Sequence, residues 1–283
     1  MKKGQIYLVI SALAYGIAPV IAKFCYNGGV NSITLTFLRS FLCLPILLIV
    51  LATKKISLKL TKKELKQVLT AGIFGNAFML IFLYAAYDFI PVGMATVLHY
   101  IYPLVTVLAC RIFYKEKLSS KMIFASVLVT LGIALFSKEA PGDNPTGIIL
   151  ALLAGIFYSF NLVYLDKSGL DSMNYWKLTF YFSLIMSATA FIFAAFSNGL
   201  TLMLSKEAWL LSFAVSALIT FVALPFLQLG VLHEGAAESG IISTLEPICS
   251  VVLGAIFLSE PISFAGFLGC AMILFGIILT EKK

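Results

Sequence analysis

Ten apolar runs, each close to the ~20 residues a helix needs to cross a bilayer core, follow one another with only short polar breaks between them. They fall at 4–24, 32–52, 67–88, 92–112, 119–137, 146–166, 175–197, 208–231, 239–258 and 263–280. No soluble core of this size could absorb so much apolar surface. Of the 283 residues 61% are hydrophobic and 12% charged, with a mean hydropathy of +1.02. Soluble domains average roughly 45–50% and 25%. The sequence therefore predicts an all-α polytopic membrane protein with ten transmembrane helices. It leaves no room for a soluble catalytic domain.

The charge of +7 points to a membrane surface and not to nucleic acid, because of where the cations lie. With the N-terminus in the cytoplasm and ten crossings, sixteen of the twenty Lys and Arg residues fall on the cytoplasmic side. Lys23, Lys138 and Lys206 fall on the other side, and Arg39 lies inside a span. This positive-inside bias orients the chain, with both termini cytoplasmic and the cytoplasmic (inner) membrane as its location. The basic start and Ala-x-Ala at 12–14 imitate a signal peptide. A matching segment recurs mid-chain, so 1–24 is read as the first span. The longest connection, TKKISLKLTKKELKQ, carries a capping-box pattern in Thr61 and Glu64.

That recurrence sets the architecture. Slid by about 143–144 residues, GQIYLVISALAYG at 4–16 falls on GIILALLAGIFYS at 147–159, matching Tyr15 to Tyr158. PLVTVLACRIFYKEKLS at 103–119 falls on PICSVVLGAIFLSEPIS at 247–263, with six identities that include the Pro, Phe, Glu and Ser. The expected domains are 1–140 and 145–283. Each holds five spans, an odd number, so the second copy enters the membrane inverted. Inverted repeats that flank a midplane site are a recurring transporter plan.

Polar groups inside spans are costly and tend to face a cavity or a partner. Glu246 is the strongest candidate. It lies with Ser239, Ser243 and Ser250 on one helical face, next to Pro247, which frees a carbonyl one turn earlier. It could contact substrate, carry a proton or tie the helix break to its neighbours. Under the repeat register Tyr102-Pro103 is its counterpart, and His99, Tyr102 and Thr106 share a face. The two bent helices should meet near the midplane. Tyr15, Asn76, Tyr158 and Asn161 are further candidates for the lining, with Ser11 and Gln228 behind them; for each, a helix–helix hydrogen bond is the alternative. Arg39 is read first as a structural cation, pairing with an acid such as Asp88, and second as a site for an anionic group.

Other chemistry lacks support. Cys25, Cys43, Cys110, Cys249 and Cys270 show no C-x-x-C spacing. His233-Glu234 is followed by Ala237 where a zinc helix needs its second His, and HEGAAE is read as a cytoplasmic loop. No phosphate-cradling loop or nucleophile elbow is present, so the sequence asks for no metal or cofactor and predicts a transporter and not an enzyme, with a passive channel or facilitator for small solutes as the first alternative and an integral membrane enzyme as the second.

Taken together, IPVGMATVLHYIYPLVTVLACRIFYKEKLSSKMIFASVLVTLGIAL and GAAESGIISTLEPICSVVLGAIFLSEPISFAGFLGCAMILFGIIL resemble the drug/metabolite transporter superfamily, EamA type, over essentially the whole chain. The resemblance implies two inverted five-helix repeats around a central cavity. It also implies secondary transport, often export, of amino acids, their derivatives or other small metabolites. A Glu-Pro pair is common in that family's second repeat, which leans Glu246 toward a structural or general role. The small four-helix relatives carry an essential first-helix glutamate; here Tyr15 and Tyr158 stand at that depth. That departure leaves proton coupling open, through Glu246 if at all. Because one chain already holds both halves, a monomer is expected to suffice.

Overall fold

The computed structural model describes residues 2–90, 92–135, 144–170, 173–197, 199–259 and 263–280. Among them every regular element is helical. Seven helices are long and apolar enough to cross a membrane: α1 (Lys3–Asn27), α2 (Ile33–Thr53), α3 (Lys62–Tyr87), α4 (Met94–Phe113), α6 (Pro145–Lys167), α7 (Tyr175–Phe196) and α8 (Lys206–Ile242). Three shorter apolar helices complete the set: α5 (Ser120–Ala134), α9 (Leu245–Leu258) and α10 (Phe264–Thr280).

Local chemistry starts these helices where the sequence places its breaks. Thr61 and Glu64 exchange side-chain bonds with each other's backbone N–H groups at 3.1 and 2.7 Å, the reciprocal capping predicted there. The helix they cap runs straight on into α3, so α3 begins several residues before the apolar run does. Asn31, Ser119, Asn144 and Ser205 cap α2, α5, α6 and α8 in the same way.

One predicted loop is absent. HEGAAE at 233–238 stays helical except at Gly235, whose φ of 81° and ψ of 169° break the backbone inside α8. That conformation is open essentially to glycine alone. Asp166 caps the restart, its Oδ2 accepting the Ala236 N–H at 3.0 Å. Helix therefore runs from Lys206 to Ile242, and the separation expected between the eighth and ninth spans shrinks to this one residue.

The packing pairs helices distant in sequence. α1 lies against α8 and α9, while α6 lies against α3 and α4. α2 packs on α7 and α5 on α10. α5 and α10 cross where a Cβ on Gly132 would meet the Gly269 carbonyl at 2.9 Å and one on Gly276 would meet Val129 at 2.6 Å. Small residues permit that approach. The outer surface is apolar: Phe196 is 88% exposed, Phe264 83% and Leu210 69%. Such a surface suits acyl chains as its solvent.

Both α4 and the α8–α9 junction bend one turn before a proline. α4 is interrupted at Tyr100 and Ile101 before Pro103, and the chain turns at Ser243 and Thr244 before Pro247. A proline supplies no N–H to the carbonyl four residues earlier, which here belongs to His99 and Ser243. Tyr102 and Glu246 consequently stand in the first turn of the restarted helices.

Candidate functional site

A cavity of about 270 Å³ opens between the two bends. Of the residues singled out in the sequence, Tyr15, Asn76, His99, Tyr102, Tyr158 and Glu246 all line it. α1 presents Tyr15, α3 presents Asn76, and α6 presents Tyr158; the bend of α4 presents His99 and Tyr102, and the first turn of α9 presents Glu246.

Asn161 lies elsewhere. It exchanges amide hydrogen bonds with Asn76 at 3.3 and 3.4 Å, and so ties α6 to α3. Ser11 donates to the Ala223 carbonyl at 2.8 Å, tying α1 to α8. Gln228 accepts from Thr179 at 3.4 Å and borders a separate hollow. Thr106, expected on the His99–Tyr102 face, is turned away and donates to Ser159 at 3.0 Å and to the Tyr102 carbonyl at 2.7 Å. Of the expected Ser239–Ser243–Glu246–Ser250 stripe only Glu246 reaches the cavity; Ser250 donates to the Gly16 carbonyl and Ser239 to the Gly235 carbonyl.

The rings form a connected cluster. Tyr102 and Tyr158 meet edge to face at 4.7 Å, and His99 lies 5.7 Å from Tyr102 and 5.5 Å from Tyr158. Tyr100 joins them at 5.7 Å from Tyr102 and shares the lining with Glu246. Two buried polar atoms on this wall, His99 Nδ1 and the Tyr102 hydroxyl, have no hydrogen-bond partner among the described residues. Leaving such groups unpaired costs about 1–3 kcal/mol each. Water or a polar guest in the cavity would supply those partners.

Arg39 also lines the cavity, and the pairing expected with Asp88 is not made. No acid lies within ion-pair distance of it among the described residues. It shares the lining instead with Tyr15, Tyr87 and Glu246. Sequence reasoning missed Ser40, Tyr84, Tyr87, Thr96, Tyr100, Ser183 and Thr220, which complete the polar lining. Their one sequence signal is tyrosine spacing, with Tyr84 and Tyr87 three apart on α3. π-helical turns at Thr70–Ala77 and Ile219–Ala223 set the phases of α3 and α8 beside the cavity, and such turns often accompany functional sites.

The cavity draws on the halves of α2, α3 and α4 remote from the lysine-rich end, through Arg39, Tyr84, Tyr87 and Thr96. At the lysine-rich end polar cross-links close the bundle. Gln5 donates to Glu238 at 2.8 Å, and Lys167 bridges Glu116 at 2.5 Å and Asp166 at 3.0 Å. Gln67 bonds the Ser168 carbonyl. Lys177 reaches the Lys59 carbonyl at 2.7 Å and Glu64 at 3.4 Å. The opposite end has links of its own, Asn31 donating to the Gly199 carbonyl at 2.7 Å and Thr36 bonding Tyr84.

The fold recurs among known proteins. A crystal structure of a protein superposes with a TM-score of 0.85 at 17% identity, over 98% of this chain and 97% of that one. An uncharacterized transporter of Archaeoglobus fulgidus is 25% identical over 100% of this chain and 98% of its own. The uncharacterized transporter YxxF of Bacillus subtilis is 27% identical over 97% and 88%. The pseudopaline exporter CntI of Pseudomonas aeruginosa is 20% identical over 100% and 98%. The model of the EamA-like transporter family matches residues 2–138 and again 145–281. A multi-pass helical bundle with an apolar girdle and a polar internal cavity, matched twice over nearly its whole length, this chain is a membrane transporter and not an enzyme: it belongs to the EamA-like transporter family.

Proposed function

We propose that the chain is a secondary carrier that moves a small polar or aromatic metabolite, an amino acid or a similar compound, by alternating access across the cytoplasmic membrane, in the direction of export. On this reading it has ten transmembrane helices in two inverted five-helix repeats, 1–140 and 145–283, with both termini cytoplasmic. A single chain suffices, since one cavity draws on both halves.

One observation carries the reading. A cavity lined by Arg39, Glu246 and a cluster of tyrosines lies between the two bends, with polar cross-links at both ends of the bundle. Alternating access would break the links at one end at a time, and the cross-links between α1, α6 and α8 are of the kind that can break and reform. Links at both ends also weigh against a permanently open channel. The packing of α1 on α8–α9 and of α6 on α3–α4 is what two inverted copies would make. Export draws its support from the relative named as an exporter.

Metabolite profiles of cells with and without the chain identify the compound that accumulates outside when it is present. That compound then enters a counterflow assay in proteoliposomes. A carrier accelerates labelled uptake when unlabelled compound is trapped inside; a rate indifferent to the trapped compound overturns the reading. Glu246 is the candidate for proton coupling. Pumping by Glu246→Gln that keeps its full dependence on a pH gradient removes it from that role.

A further inference from the structure

We infer that the start of α3 is a docking groove for an anionic phospholipid of the leaflet at the lysine-rich end. Lys62 and Lys66 would hold its phosphate, and an acyl chain would lie along Leu65, Leu69, Ile73 and Phe74. These residues share one face of α3 and border a shallow hollow of about 330 Å³, with Thr70 between them. The four apolar side chains are all exposed, and among the described residues α3 alone lines the hollow. It shares no residue with the cavity between the bends.

One end of the groove carries charge that the protein does not offset. Lys62 and Lys66 are one turn apart, and like charges at that spacing repel. Lys63 lies between them in sequence, and Lys59 just before the helix. The nearby acid is committed elsewhere, since Glu64 caps Thr61 and takes Lys177 at 3.4 Å. Neither Lys62 nor Lys66 makes an ion pair among the described residues, and no acid lines the hollow. A phosphate between the two ammonium groups replaces their repulsion by two attractions. The other end is placed for hydrocarbon. Lys62 and Lys66 precede the apolar run of α3, whereas Leu69, Ile73 and Phe74 lie within it. The groove therefore passes from headgroup depth to acyl depth. Between Lys62 and Phe74 the helix rises ~18 Å at 1.5 Å per residue, close to the ~15 Å of one leaflet's hydrocarbon. A soluble phosphate would meet the lysines and leave the apolar length bare. A lipid without net charge would cover that length and leave the lysines uncompensated. An anionic lipid meets both, and lysine clusters beside a span recognise such headgroups. Seated there, it would steady the start of the helix that carries Asn76, Tyr84 and Tyr87 to the cavity.

Native mass spectrometry tests this on the purified full chain, delipidated in detergent and titrated with phosphatidylglycerol, phosphatidylcholine or glycerol phosphate. Phosphatidylglycerol should be retained about tenfold more tightly than either of the others. Lys62→Gln combined with Lys66→Gln should remove that preference. Lys54→Gln combined with Lys55→Gln takes the same charge from the same basic connection, outside the hollow, and should keep it. Equal losses in the two double variants would make the attraction a diffuse field and overturn the groove. Phosphatidylcholine or glycerol phosphate bound as well as phosphatidylglycerol overturns it too. A phosphatidylglycerol with a photoreactive acyl chain gives a second readout on the parent protein, independent of any variant. Its label should concentrate on residues 65–74; label spread evenly around the apolar girdle overturns the proposal.

Discussion

The bend in α4 and the bend between α8 and α9 use one backbone device to present different chemistry. Each lies one turn before a proline, and each is pressed by a glycine of a neighbouring helix. A Cβ on Gly155 of α6 would lie 2.5 Å from the His99 carbonyl oxygen. One on Gly16 of α1 would lie 2.8 Å from the Glu246 carbonyl oxygen and 2.5 Å from the Cys249 Cβ. At the first bend the residues that face the cavity are His99, Tyr100 and Tyr102; at the second it is Glu246. The common backbone positions two walls of one cavity, and the side chains divide the work: rings and neutral polar atoms on one wall, a carboxyl on the other.

The sharpest way to break that division is to remove the distinguishing atom from each wall. Glu246→Gln is expected to cut the initial rate of counterflow by about thirtyfold or more, as loss of a desolvated charge contact costs 2–5 kcal/mol. Tyr102→Phe removes one neutral hydroxyl, worth about 0.5–1.5 kcal/mol, and should cost about two- to tenfold. Equal losses would show that both walls contribute alike.

The same contrast explains what could be read in advance. Tyr102 and Glu246 were legible because a polar residue beside a proline inside an apolar run has few bland explanations. Tyr100 was overlooked because the interruption at Tyr100 and Ile101 turns it into the cavity. Thr106 was misplaced for another reason: it stays one turn past Tyr102 in the restarted helix, beyond the lining, and bonds Ser159. Asn161 and Ser11 have the spacing of a lining and the role of a helix–helix bond. Only the π-helical turns of α3 and α8, which bring Asn76 opposite Asn161 and the Ala223 carbonyl opposite Ser11, decide between the two. The HEGAAE loop was expected because polar residues cluster there; the chain needs just the glycine geometry at Gly235 to redirect its helix. Arg39 was assigned a structural partner because a bilayer punishes a lone cation, and its true surroundings are a cavity lining gathered from helices distant in sequence, which no local pattern records.

The backbone half of the comparison is tested by the glycines. Gly155→Ala and Gly16→Ala each force a methyl against a backbone carbonyl, and overpacking of this kind costs about 1–3 kcal/mol. Both should lower the unfolding temperature in detergent. If one is tolerated, the two bends are not held alike. Gly235→Ala should cost a similar ~1–3 kcal/mol for a different reason. Its nearest neighbour would be Asp166 Oδ2 at 3.5 Å, ordinary contact, so the penalty is backbone strain at a φ of 81°. It should also loosen the Asp166 cap on Ala236, and a cysteine placed near Glu238 should then react faster with a reagent added from the lysine-rich side.

The smallest expected effect is at the prolines themselves. Pro103 is the second residue of its restarted helix and Pro247 the third. The N–H groups of a helix's first turn have no intrahelical partner in any case, so replacing either proline by Ala sacrifices little beyond backbone preorganisation, about 0.4–1 kcal/mol. The restored N–H could reach back to the carbonyl of His99 or Ser243 and straighten the helix. At α4 the neighbour opposes this, since the His99 carbonyl is already packed against Gly155. At the second bend the Gly16 contact is made by the Glu246 carbonyl, three residues past Ser243, and the Ser243 carbonyl, held by the Glu246 N–H at 3.1 Å, is not the atom pressed. Spin-label distances across each bend should therefore stay fixed in Pro103→Ala and lengthen in Pro247→Ala. The opposite ranking would mean that the proline, and not the neighbouring helix, maintains the bend in α4.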